Sequence, residues 1–295
     1  MGEIVAALVA GVAGGVPLFV VASGLTLIYG VMRVLNFAHG ALFALGAFVL
    51  ATVLGGAAPS PLMLVVALLV AAVVVGAVGA VSEVTIFRRL YTRDHTTTLL
   101  ASYALLLTLG GLTEQIWGVT PRSQAQAIEL AGAVGIGGIR VAVYDLVLIG
   151  IGLVLAAGLT VLLRRSSFGQ NIRAVAHDET MARALGVRAR RVQLPVFVLG
   201  SALAGLAGAL IAPLVSIEPG LAPTFVVQSF AVVIIGGLGS IPGALVAALL
   251  IGVLESFAVS FQPGLVGFSL YIGVAAVLLL RPGGLLSTSS GLREA

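Results

Sequence analysis

The sequence predicts an all-α fold, a polytopic helical membrane protein, and three observations predict it. Of its 295 residues 60% are hydrophobic and only 9% are charged, whereas an ordinary soluble domain is about 25% charged. So few ionisable side chains cannot build a water-facing shell on a body this size, which excludes a soluble enzyme. The apolar residues also fall in runs near the roughly 20 residues needed to cross a hydrocarbon core of about 30 Å. Finally, all 15 basic residues are arginines, clustered between those runs and not interleaved with aromatics on one face. That is the pattern of membrane topology and not of nucleic-acid binding.

Eight apolar segments follow in order. The first, residues 4–32, ends at Arg33. Met1-Gly2-Glu3 before it lacks a basic region, so this segment is expected to be retained and not cleaved. The second, 37–54, is short and runs into a Gly/Pro turn at 55–61. The third, 62–81, stops ahead of Arg88-Arg89, the fourth is 97–117, and the fifth, 146–163, is closed by Arg164-Arg165. The sixth is 194–214, the seventh 225–254, and the last, 265–280, ends at Arg281. A single transmembrane domain spans 1–295 and carries a loop at 164–193.

Orientation follows from the arginines. Residues 164–191 hold seven of them and the 213–224 connection none, so the long loop is cytoplasmic. Counting crossings from it places the amino terminus outside. It also places Arg281 and Arg293 outside if 225–254 crosses once, against the rule. The conflict disappears if this stretch is a broken or re-entrant helix pair near residues 225–258, with its break at 236–243, where glycines and Pro242 interrupt a helix. Such a break is expected to lie against protein or a pathway, not against lipid.

Chemistry-bearing residues are few. There is no cysteine, so disulfides, thiolate metal sites and cysteine nucleophiles are excluded. His39, His95 and His177 are far apart and show no metal-ligand spacing. No phosphate-cradling GxxxxGK[ST] motif occurs, so any use of ATP must come from another subunit. Glu83, Glu114 and Glu255 lie in or near spans without a paired acid.

Three places stand out. The block 24–40 embeds Arg33, Asn36 and His39 between apolar runs. Two readings apply: Asn36 caps the next helix beside a satisfied core histidine, or these groups line a pathway. In the loop, Asp178 is a good N-cap and Gly186 a good C′ residue for a short helix at 179–185 that puts Met181, Ala184 and Leu185 on one side. That helix is either a peg for a partner or a segment lying in the headgroup layer. The third place is the glycine-rich break itself.

Three blocks, 24–46 (GLTLIYGVMRVLNFAHGALFALG), 168–186 (FGQNIRAVAHDETMARALG) and 233–255 (VIIGGLGSIPGALVAALLIGVLE), resemble the H-type (LivH-like) permease subunits of ABC importers for branched-chain and other hydrophobic amino acids. The resemblance frames most of the chain. It implies that the loop docks on an ATP-binding subunit through Phe168, Gly169, Arg173, Ala174, Asp178, Ala182, Leu185 and Gly186. It makes Thr26, Asn36, His39, Gly40, Gly236, Gly237, Gly239 and Ser240 walls of a translocation pathway. It further implies a second, M-type permease or a self-pairing, two ATPase subunits that bind ATP and Mg, an extracytoplasmic substrate-binding protein, and the cytoplasmic (inner) membrane. No cofactor or metal is expected on this chain. The rival readings are an ion-coupled secondary transporter, a structural subunit of a larger membrane assembly, and an ABC permease for urea or amides.

Overall fold

In lipid each backbone N–H and C=O must find its partner within the protein, which favours helices wherever an apolar run is long enough. The computed structural model describes residues 2–55, 60–91, 93–126, 132–136, 139–281 and 283–286. Its helices are α1 (Gly2–Met32), α2 (Ala38–Leu54), α3 (Pro61–Ser82), α4 (His95–Trp117), α5 (Val143–Arg165), α6 (Ser167–His177), α7 (Glu179–Ala184), α8 (Ala189–Ile211), α9 (Leu221–Gly236), α10 (Ile241–Phe261) and α11 (Phe268–Leu280). A π turn at Glu83–Phe87 and a last turn at Arg88–Leu90 extend α3. Six of these helices are long and apolar enough to span a membrane.

Capping explains several boundaries. Ser60 accepts from the Met63 N–H and begins α3 with Pro61 at the first helical position. Asp94 caps α4: the Thr97 hydroxyl and then its N–H donate to the carboxylate, which holds its pKa below the ordinary value. The 97–117 run therefore starts two residues earlier than hydropathy alone indicates.

Small residues set the packing, as lipid offers no hydrophobic drive between helices and close approach must supply the attraction. A Cβ at Gly46 of α2 would collide with the Gly205 backbone of α8, and one at Gly208 of α8 would collide with the Phe43 carbonyl of α2. Gly11 and Gly15 bring α1 onto Gly252, Val253 and Ala248 of α10 in the same way. Since Gly11 meets Gly252 while the Ser256 hydroxyl donates to the Ala7 carbonyl (2.8 Å), the two helices are antiparallel.

The ends of the bundle can now be assigned. The α1 C-terminus meets the loop helices, because the Arg33 guanidinium donates to the Ala176 carbonyl (2.7 Å). The start of α10, the end of α9 and Leu286 meet the loop at the same end. Arg281, two residues before the last described segment, is therefore on the loop side, and only Arg122 and Arg140 of the described arginines lie at the opposite end. The 225–254 run is thus two antiparallel helices joined by a turn, and the charge conflict in the sequence is removed as expected.

The 236–243 break is a turn at the loop-side end of the bundle, the hairpin form of the expected pair. A helix, α6, occupies the first part of the loop and buries Gly169, Ile172 and Val175. A two-stranded antiparallel hairpin, β1 (Ala133–Ile136) with β2 (Ile139–Ala142), precedes α5 at the opposite end.

Candidate functional site

The break after α1 lies deeper than the sequence indicates. His39 Nε2–H donates to the Val21 carbonyl (2.9 Å), and Val21 is eleven residues before the end of α1, about 16 Å along its axis. Residues 33–37 therefore run back beside α1, and α2 begins inside the bundle. Such non-helical backbone survives only when enclosed by protein. Asn36 is 1% and His39 0% exposed. Asn36 Oδ1 accepts from the Ala38 N–H (3.1 Å), and the Phe37 N–H donates to Ser102 Oγ (3.2 Å). The cap position of α2 is Phe37, which starts the helix one residue later than read, and Asn36 holds the first N–H of α2 from one residue further out.

This region keeps unspent hydrogen-bonding capacity. Among the described residues Asn36 Nδ2, His39 Nδ1, Ser23 Oγ, Thr26 Oγ1 and Ser201 Oγ are buried without a protein partner. They sit on α1, α8 and the 33–39 segment. Gly24 lies between them, its missing Cβ leaving room for the Gly200 carbonyl and the His39 ring.

The second break has a different setting. Gly237 (φ 100°) and Gly239 (φ 84°) adopt left-handed conformations that side chains resist. Gly236 and Gly243 touch backbone to backbone, and Ser240 Oγ accepts from the Gly243 N–H (3.1 Å), capping α10. The Leu285 N–H donates to the Ile235 carbonyl (2.7 Å) and the Leu286 N–H to that of Gly236 (3.2 Å), satisfying the end of α9. The turn lines a cavity of about 550 Å³, as do Thr26 and Gly30 of α1, Arg164 of α5, and Arg173 and Ala176 of α6.

Of the pathway residues read from sequence, Thr26, Gly239 and Ser240 share this cavity, and Arg173 of the docking set joins them. Gly236 and Gly237 lie just behind it, packed on Gly243 and Gly284. Asn36, His39 and Gly40 do not line it. Gly40 is pressed against the Ala222 carbonyl of α9, where Phe43 and Phe225 stack at 4.2 Å.

The loop helices carry the residues read from sequence as a docking set. Asp178 Oδ1 accepts from the Met181 N–H (2.9 Å), and Gly186 takes φ 89° just beyond α7. Ala182 is turned inward at 3% exposure, while Met181 and Leu185 are 58% and 79% exposed. Gly169 is wedged against the Leu162 and Leu163 carbonyls at the end of α5, and Phe168 and Ala174 are partly buried in the core. The docking set thus divides into an outward face (Arg173, Asp178, Leu185, Gly186) and an inward one that fixes it to the bundle.

Sequence reasoning missed Arg33 as a link. It is the one non-glycine residue with positive φ (54°) among the described residues, and its guanidinium caps the last turn of α6, where a cation is favoured. A second cavity of about 560 Å³, at the other end of the α1–α10 seam, was also unforeseen.

Residues 7–279 match the model of the family described as "Branched-chain amino acid transport system / permease component". The chain belongs to this family. The high-affinity branched-chain amino acid transport system permease protein BraD of Pseudomonas aeruginosa is 29% identical over 95% of this chain and 94% of its own length. LivH of Salmonella typhimurium is 28% identical over 94% and 93%. LivM of Escherichia coli matches a shorter part, 34% identical over 42% of this chain and 29% of its own. This permease is accordingly a multi-pass membrane protein and a transport component.

Proposed function

We propose that this permease is the H-type membrane subunit of an ABC importer of the cytoplasmic (inner) membrane, passing branched-chain or other hydrophobic amino acids inward. In this reading a second permease, M-type or identical, completes the path. Two partner subunits bind ATP and Mg and hydrolyse the nucleotide, and an extracytoplasmic binding protein delivers the solute. The observation that carries the reading is the peg: a capped helix with two large apolar side chains held out in water, on a loop whose preceding helix lines the inner cavity.

Force then has a short route. An ATPase gripping Met181 and Leu185 displaces α7 and α6 together. Arg173 and Ala176 move the wall of the inner cavity against the Gly237–Ser240 turn, while Arg33 carries the same displacement to the 33–37 segment. Opening one end of the bundle as the other closes is alternating access driven by an external motor.

Replacing Met181 and Leu185 with Asp tests this in the reconstituted importer. Both side chains lie in water, so folded yield and melting temperature stay unchanged. ATP-driven uptake falls at least about tenfold, the effect of losing two apolar anchors worth roughly 1.4 kcal/mol or more. Wild-type uptake and coupled ATP hydrolysis in the double variant would refute the docking role. Uptake driven by an ion gradient without ATP would favour a secondary transporter.

A further inference from the structure

The outer cavity lies between α1, α9, α10 and the 212–220 connection, opposite the loop end. Its walls are apolar where Leu18, Ile211, Phe225 and Val259 meet. Most of its polar groups are acceptors, the Ser216 hydroxyl and the Gln228 amide nitrogen being the donors. Glu218 and Glu255 both line it, and neither is ion-paired among the described residues. Gln228 lines it too, and its Oε1 is buried with no partner. The hydroxyls of Thr224 and Ser256 spend their protons on the Gly220 and Ala7 carbonyls (3.0 and 2.8 Å), leaving only lone pairs. No arginine is among the lining residues, and the Arg122 guanidinium nearby is directed to the Trp117 carbonyl (2.9 Å).

Water reaches the exposed Glu218 and the half-buried Glu255, whereas the Gln228 amide oxygen is buried without a partner, a cost that a donor on a ligand removes, and the two carboxylates give the cavity its negative charge. No group of three or more His, Cys, Asp or Glu side chains that could hold a metal occurs among the described residues. A primary ammonium matches the cavity: three donors, no acceptor, one positive charge. Glu255 is well placed for such a partner, six residues and about 9 Å inside the end of α10, where a carboxylate in lipid needs a counter-charge or water.

We infer that this outer cavity is the entry site for solutes bearing a primary ammonium and an aliphatic body, with Glu255, Glu218 and Gln228 Oε1 receiving the ammonium and Leu18, Ile211 and Phe225 the apolar part. The inference rests on the transport reading above and narrows it: a neutral amide or urea lacks the charge these acceptors are set to receive, and a carboxylate without an ammonium meets only the Ser216 hydroxyl and the Gln228 amide nitrogen as donors. The permease thereby selects on its own account, before the solute reaches the α1–α10 seam.

The test uses the assembled importer in membrane vesicles. The chain has no cysteine, and a Cβ at Gly14, which lines the cavity, meets open space; Gly14→Cys therefore sets a single thiol there without strain. Its modification by a cationic (ethyltrimethylammonium) and an anionic (sulfonatoethyl) methanethiosulfonate is followed as the mass of this chain, each rate normalised to that with free mercaptoethanol. The normalised cationic rate is expected to be at least about tenfold higher, and adding Glu255→Gln with Glu218→Gln removes that preference. L-Leucine slows the labelling, whereas 4-methyl-2-oxopentanoate, which has the same body without the ammonium, does not. Equal normalised rates, a preference that survives the double substitution, or equal protection by the two compounds would each overturn the site. ATP-driven leucine uptake measured alongside separates the two claims. Uptake without charge preference sinks the ammonium site alone, and charge preference without uptake keeps a cation site while sinking the amino-acid reading.

Discussion

Two non-helical stretches, at 33–37 and at 237–240, differ in their surroundings. The first is enclosed at its inner end, from Asn36 onward. Asn36 and His39 are buried, His39 is bonded to α1, and Gly40 is pressed against α9. The second faces a cavity and has the loop helix α6 as its opposite wall. Polar side chains sit at the enclosed break, where each bond fixes one helix to another. Glycines sit at the open one, where the backbone itself must bend. A transporter needs both: fixed joints that keep the helices in register, and a wall that moves when the loop is pushed. The comparison predicts that changes at the enclosed joints cost stability first and changes at the open turn cost transport first.

The largest effect is expected at the enclosed side. In Gly46→Val a branched side chain would be driven into the Gly205 backbone of α8, and backbone cannot yield as a flexible side chain does. The cost lies at or above the upper end of the roughly 1–3 kcal/mol typical of overpacking. Fluorescence-detected size-exclusion chromatography should show little or no monodisperse importer. A folded, active Gly46→Val protein would mean that α2 and α8 are not a fixed joint.

That joint was invisible in the sequence, for a physical reason. Hydropathy gives the length of an apolar run, and arginine placement gives its direction, so the spans and the 225–254 pair were both legible in the sequence. The cap at Asp178 and the stop at Gly186 are local chemistry, and α7 was legible as well. Which glycine meets which carbonyl depends on the register between helices far apart in sequence, such as Gly46 with Gly205. The depth of the 33–37 segment is set in the same way, by a single bond from His39 to Val21. The outer cavity assembles Glu218, Gln228 and Glu255 from three separate elements, and no spacing rule joins them. Of the pathway residues read from sequence, Thr26, Gly239 and Ser240 meet in one cavity, while His39 and Gly40 are packed between helices instead.

His39→Ala sharpens the comparison at intermediate size. It removes a donor to the Val21 carbonyl, which keeps its helical partner within α1, and empties the space of a fully buried ring, a loss of about 2–4 kcal/mol. The melting temperature of the detergent-solubilised importer should fall, and uptake should fall only as far as the folded fraction does. His39→Gln, which keeps a donor, should recover part of the loss. If uptake instead collapses while the melting temperature holds, His39 belongs to the route and not to the joint.

The smallest stability effect and the sharpest contrast are expected at Gly239. Its φ of 84° is in the left-handed region, while a Cβ there meets nothing within 4 Å. Gly239→Ala therefore adds no clash, only a conformational cost of roughly 1–2 kcal/mol for holding an L-residue in that well. The static structure accommodates this with a small drop in melting temperature. The transport cycle does not accommodate it so readily, because the turn must pass between conformations as α6 moves, and the alanine narrows the set it can visit. Uptake should fall by more than the loss of folded protein accounts for, with ATP hydrolysis retained. Equal losses in uptake and in folded protein would make the 237–240 turn another fixed joint and remove the distinction between the two breaks.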